Sequence, residues 1–408
     1  MPCTVVAKIR LNGIKIFASC LLLLASAPIQ AWNGTDHHAM GHIPLEAVAQ
    51  DWELKTPCPI RPINSLLEKL GQLEPSLGDL WHLSDFIKIN PAVAWEQLFP
   101  EELGRTSITP LEILQLHSTD PDDGRDQNLL IRDARGNPHF AFADQLWFGS
   151  LLGGNSQAFR HLEKPPFSWS NRQATFGFPF RAVGEATSRA EIYYQLARLA
   201  FELGEDYWGW RFLAGSFHYL QDLHNPYHSG QITPKLLRKG WKAYWSWGRK
   251  GHKELFATFA HIVSNSHRFM ETYLEKNPNY APLKGTDTVD LPSIHELALL
   301  SRDSSNKLFP ALTEAVGEIT DERLEGPHLF NSEREPYDDP MPYVFHGPNF
   351  DKAQAIIQGI VQDRFAATGR VLRTEVKLIL QDRSIKEDPK LILQTIETLV
   401  SLHPAIEP

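Results

Sequence analysis

The stretch Phe217-His218-Tyr219-Leu220-Gln221-Asp222-Leu223-His224-Asn225-Pro226-Tyr227-His228 decides how this chain is read. His218 and Asp222 are four positions apart, so on a helix they lie one turn above the other on one face and can grip a single ion. Pro226 has no backbone N–H and disfavours helix at the residue before it, so the helix stops and His228 arrives from a different direction. Imidazole nitrogen and carboxylate oxygen are ligands that zinc accepts when no cysteine is on offer.

Working outward, residues 187–223 read as two consecutive helices. Leu196, Leu199, Ala200 and Leu203 recur at helical spacing, Gly204 punctuates, and a second helix carries Trp208, Phe212 and Phe217 into the stretch as core residues. Downstream, His267 and Glu271 form a second pair four positions apart, again on one helix face. His252 competes for that role, but position 256 is Phe, so its turn offers no carboxylate.

The pattern H-Y-x-x-D-x-x-x-P-x-H filled by His218, Tyr219, Asp222, Pro226 and His228 resembles the signature of the bacterial zinc-dependent phospholipases C, whose fold is shared by the single-strand-specific zinc nucleases. The resemblance implies an all-α multi-helix bundle and three zinc ions held by residues spread along the chain. In chain order the matching residues are Trp32, His42, Asp122, His161, His218, Asp222, His228, His267 and Glu271. By the same resemblance His161, His218, Asp122 and Asp222 hold one zinc, and Asp222 bridges to a second held by Trp32 and His42. His228, His267 and Glu271 hold the third.

Several of these positions have rivals. The histidine that joins Trp32 is taken as His42, with His38 as runner-up and His37 at the spacing seen in the nucleases. The early aspartate that the resemblance calls for comes from Asp120-Pro121-Asp122-Asp123-Gly124-Arg125-Asp126, four carboxylates in seven positions; in several distant branches of the family it follows a proline, which favours Asp122, with Asp126 second. By composition alone such a run is a solvated turn or a calcium loop. The stretches from Asp122 to His161 and from His228 to His267 are longer than in short family members.

The chain opens with Lys8, Arg10 and Lys15 ahead of an apolar run from Ile16 to Ala27, the form of a secretory signal peptide and too short for a comfortable membrane span. Cleavage after Ile29-Gln30-Ala31 would place Trp32 at the mature terminus, where its amine and carbonyl are the chelating groups the resemblance calls for. Loss of residues 1–31 removes three cations and no anion, moving the formal charge from −9 to −12. A surface so acidic repels nucleic acid unless a basic patch compensates. Cys3 and Cys20 leave with the leader, so Cys58 remains alone and stability rests on packing and metal rather than a disulfide.

The expected organisation is a leader at 1–31, a catalytic helical domain at 32–290 and C-terminal helices at 291–408 packed on it. Pro44 to Ala49 reads as a helix with proline in its first turn. Ser293-Ile294-His295-Glu296 reads as a capping box. Ala353, Ile356, Ile357, Ile360 and Val361 mark an amphipathic helix, and the five prolines between 327 and 348 mark a loop. No alternating strands appear, so the β-sandwich lipid-binding domain of some toxic relatives is not expected. Trp241, Tyr244, Trp245 and Trp247 beside Lys239, Lys242, Arg249 and Lys250 suit a membrane interface as well as a buried cluster with a charged rim.

The expectation is a secreted, monomeric, zinc-dependent phosphodiester hydrolase without a transmembrane anchor. Its substrate is a phospholipid at a membrane surface, phosphatidylcholine foremost, cut to diacylglycerol and a phosphorylated headgroup by a metal-activated water that Asp122 orients. The alternatives are a zinc-dependent single-strand nuclease or nucleotidase, and a secreted metal-binding helical protein without turnover.

Overall fold

In a computed structural model, residues 34–73, 99–122, 161–164, 183–230, 233, 235, 263, 265–321 and 344–401 are described. These are mostly helical: α1 (Gly34–His42), α2 (Ile63–Leu73), α3 (Pro110–His117), α4 (Ala186–Glu202), α5 (Asp206–Leu223) and the short α6 (Pro226–Ser229) come first. After the helical residues 265–276 come α7 (Ile294–Thr320), α8 (Phe350–Arg383) and α9 (Pro389–Ser401). Among the described residues the strands are two antiparallel ladders of two residues each. In these, β1 (Cys58–Pro59) pairs with β2 (Ser107–Ile108), and β3 (Glu163–Lys164) pairs with β4 (Val183–Gly184).

The two helices expected over 187–223 are α4 and α5, and they pack along each other at the centre. The turn between them is set by Gly204 at φ 70°, a left-handed conformation that costs glycine little. Glu205 N bonds Ala200 O and Gly204 N bonds Phe201 O, both at 2.9 Å, the paired closure of a Schellman cap. A Cβ on Gly215 would sit 2.4 Å from the Tyr193 ring, so α5 lies closer to α4 than any side chain there allows. Trp208, Phe212 and Phe217 from α5 are buried as expected, and so is every other residue of the helix from Tyr207 to Leu223.

Around this pair, α1 packs on α3, α5 and α8, which drives the N-terminal helix into the interior. Thr109 and Glu112 form a reciprocal capping box at the start of α3. Ser293 caps α7, its Oγ accepting from Glu296 N at 3.2 Å. One hydrophobic cluster runs from Met40 to Ile396, so the C-terminal helices and the site share a core. The buried Arg373 of α8 reinforces it, donating to the carbonyls of Leu283 at 2.9 Å, Asp287 at 2.8 Å and Pro44 at 3.3 Å.

One element differs from the sequence reading. Residues 44–49 are turns rather than a helix, and the helix lies before Pro44 as α1. Leu45 N bonds His42 O and Val48 N bonds Leu45 O, three-residue closures that satisfy the backbone one turn at a time around a proline with no N–H to give.

Candidate metal centre

Helix α5 supplies the first two donors. His218 Nδ1 donates to the Ser118 carbonyl at 2.8 Å, which fixes the tautomer and turns Nε2 toward Asp222 Oδ2, 3.2 Å away. His161 enters beside β3 and places Nδ1 2.7 Å from His218 Nε2 and 2.9 Å from Asp222 Oδ2. Asp122 Oδ1 stands 3.7 Å from His218 Nε2 and 3.8 Å from His161 Nδ1. A tetrahedral zinc with bonds of about 2.0–2.1 Å needs its ligand atoms about 3.3 Å apart. These separations bracket that value, and His161, His218 and Asp222 form one group able to hold a metal.

A second group shares His218 with the first and lies against the same two carboxylates. His37 Nε2 lies 3.5 Å from Asp122 Oδ2 and 3.6 Å from Asp222 Oδ1, while Asp122 and Asp222 turn their other oxygens to His161 and His218. Both carboxylates therefore straddle two donor groups, the arrangement that two adjacent dications require. His37 Nδ1 donates to Gln221 Oε1 at 2.5 Å, which leaves Nε2 as the ligand atom. That Nε2 is buried and has no hydrogen-bond partner among the described residues, as an atom reserved for a cation would be. His37, Asp122 and His218 make the second possible metal group.

Of the three candidate histidines, the structure brings His37 rather than His42 to the shared carboxylates. Five residues along an α-helix is about 140° of rotation, so the two histidines of α1 point to different sides. The His42 side chain is 30% exposed and its Nε2 pairs with Glu46 Oε1 at 3.2 Å, away from the other donors. His38 packs edge-on to Phe99, ring centroids 6.4 Å apart.

The third expected trio is brought into one neighbourhood without closing. The His228 and His267 rings are 5.0 Å apart, and Glu271 is buried one turn beyond His267. His228 Nδ1 donates to the His161 carbonyl at 2.5 Å, so Nε2 faces away from the backbone with no hydrogen-bond partner among the described residues. His267 Nε2, however, lies 3.2 Å from Asn225 Nδ2, and Glu271 Oε2 accepts from Arg268 Nη1 at 3.0 Å. The trio is not among the metal-capable groups of the described residues.

The electrostatics reflect a site crowded with acids and imidazoles. Burial alone would lower His218, yet the Asp222 and Asp122 carboxylates outweigh it and push His218 up to about 9. Burial and the neighbouring His218 drive His37 well below its usual range, and burial with His267 does the same to His228. Burial raises Glu271 to about 8 against the pull of Arg268, with Asp122 and Asp36 adding to the rise.

Sequence reasoning missed Gln221 and Ser118, which orient His37 and His218, and Asp36, whose buried Oδ1 accepts from the Tyr280 hydroxyl at 2.6 Å. Only Gln221 carried a signal, being one residue ahead of Asp222 on the helix. Trp32, Asp126 and the segment from Trp241 to Trp247 lie outside the described residues. No helix among the described residues is long and apolar enough to cross a membrane.

No protein family, curated protein or solved structure matches the chain.

Proposed function

We propose that this chain is a secreted zinc-dependent phospholipase C that hydrolyses phosphatidylcholine to diacylglycerol and a phosphorylated headgroup. The observation that carries the reading is the straddling of Asp122 and Asp222 between His37 on one side and His161 with His218 on the other. Two shared carboxylates between histidine groups suit paired dications a few ångströms apart, and paired dications suit in-line displacement at phosphorus. In this reading three zinc ions are bound, with Trp32 completing the His37 group and His228, His267 and Glu271 closing on the third.

Zinc in such a site polarises phosphoryl oxygens and lowers the pKa of water from that of bulk to about 7. The chain's own residues do the rest. Asp122, facing both groups, orients the attacking water and takes its proton. The new P–O bond would form from that water as the bond to the glycerol oxygen breaks, and the departing alkoxide would receive the proton that Asp122 had taken up. The two oriented histidines hold their ring positions because each Nδ1 is committed, His37 to Gln221 and His218 to Ser118.

The formal charge of −9 favours a lipid over a polyanionic substrate. One observation favours the nuclease or nucleotidase reading: His37, at the nuclease spacing from Trp32, is the histidine that faces the shared carboxylates. Purified protein assayed in parallel on phosphatidylcholine liposomes and on single-stranded DNA tests the choice. Faster release of the phosphorylated headgroup is the expected result, faster release of nucleotides overturns it, and hydrolysis of neither substrate by zinc-loaded protein points to a metal-binding protein without turnover.

A further inference from the structure

Arg211 is seven positions before His218 and eleven before Asp222, so all three occupy one face of α5. Two of them face the candidate centre, and Arg211 is spent on something else. Its Nε donates to Asp120 Oδ2 at 2.9 Å, and the same oxygen lies 3.0 Å from His117 Nδ1. The other face of that imidazole meets Glu102, with Nε2 3.1 Å from Oε1. Tyr207 OH donates to Glu102 Oε1 at 2.9 Å and accepts from Arg211 Nη1 at 3.3 Å, while Phe99 N donates to Glu102 Oε2 at 2.9 Å. Arg211, Asp120, His117, Glu102 and Tyr207 are all buried, and none belongs to the metal-capable groups.

The segment this network grips is the one on which both donor groups depend. The Ser118 carbonyl accepts from His218 Nδ1, and Ser118 Oγ donates to the His37 carbonyl at 3.1 Å. Two residues past Asp120, Asp122 reaches both groups. A shift of residues 118–122 would alter the tautomer of one ligand, the seat of the second and the position of the third. A guanidinium fork suits the task because it holds two acceptors in a fixed plane, which a lysine ammonium cannot do.

We propose that Arg211 is a positioning residue of the metal centre, clamping Asp120 so that residues 118–122 present Asp122 and orient His218. The inference rests on the metal reading above, and the two fail separately. The test uses full-length secreted protein stripped of metal, with Arg211→Lys and Asp120→Asn as independent variants and helical circular dichroism as the check on folding. Zinc affinity is read by competition against a chelating dye, and ligand geometry by the visible absorption of the cobalt-substituted protein. The expected result is that folded variants bind zinc about 10–100-fold more weakly, the usual effect of losing an outer-shell partner, with a displaced cobalt spectrum. Folded variants with wild-type zinc affinity and an unchanged spectrum overturn the proposal. If one variant does not fold the other decides, and if neither folds the network is a folding element and the proposal is likewise overturned. A wild-type chain that takes up no zinc defeats the metal reading itself, whereas wild type and variants binding zinc equally defeat only the role of Arg211.

Discussion

The rings of His37 and His218 stack with centroids 4.3 Å apart and an interplanar angle of 22°, although one lies in α1 and the other in α5. Each is oriented through Nδ1, His37 by Gln221 and His218 by Ser118, so both Nε2 atoms face the same two aspartates. Stacking thus sets the two imidazoles side by side, and it makes His37 the histidine of α1 that faces the shared aspartates.

His37→Ala should weaken zinc binding by at least the 10–100-fold that loss of an outer-shell partner brings, while His42→Ala should leave it unchanged. Zinc content after dialysis against a buffered chelator measures both. Equal retention by the two variants would contradict the assignment of His37.

Gln221→Ala removes the acceptor that holds His37 Nδ1, 2.5 Å away. Zinc affinity should drop by about 10–100-fold with the fold intact, and isothermal titration of stripped protein reads the change. Because Gln221 offers no ligand atom to the groups described, an unaltered affinity would mean that His37 is held by its stack on His218 alone.

Removing metal should lower thermal stability. A ligand present at about 100 times its dissociation constant stabilises the native state by about 2.7 kcal/mol. Scanning calorimetry with and without a strong chelator should therefore show a fall of several degrees in wild type and almost none in Asp222→Asn, which has already lost the carboxylate shared by both groups.

Acid should destabilise the protein through Glu102, even in the metal-free form. Burial favours the neutral acid, but His117, the Phe99 N–H and the Tyr207 hydroxyl outweigh it and bring Glu102 down to about 2. Its unfolded value is about 4.3, so the unfolded chain binds more protons between the two values. The stabilisation is complete above about pH 4.3, disappears as pH falls toward 2, and is worth about 1.4 kcal/mol for each unit between. Urea titrations of wild type and Glu102→Gln across that window should converge as pH falls. Parallel curves would remove Glu102 from the account.

Gly41→Ala should separate α1 from α3. A Cβ there would stand 2.6 Å from the Leu114 carbonyl oxygen and 3.1 Å from Gln115 Cα, backbone atoms that cannot rotate aside. The expected cost is about 1–3 kcal/mol, accompanied by weaker zinc binding because α1 carries His37. Gly71→Ala in α2 meets nothing within 4 Å and should be neutral or stabilise by about 0.5–1 kcal/mol.

The central helix pair and the His218–Asp222 face were legible because both follow from local spacing, and His228 followed from the break at Pro226. The N-terminal histidine was legible only as a choice among His37, His38 and His42. Pro44 suggested a helix after it, and without knowing that α1 occupies Gly34–His42 there was no means of seeing that His37 and His42 face different ways. The acidic run showed its charge but not its division of labour, in which Asp120 serves Arg211 while Asp122 turns to the histidines. Ser118 was invisible for a deeper reason: it orients His218 with a backbone carbonyl, a group that every residue possesses and that only tertiary structure can single out.

The Tyr280 hydroxyl reaches Asp36 across 244 positions, and Arg373 reaches the Pro44 carbonyl across 329. Closing spans this long uses up chain entropy before any contact returns stability, so α1 is expected to dock after the sequence-adjacent α4–α5 pair. Whatever ion the His37 group can hold, that group is complete only once α1 has found its seat.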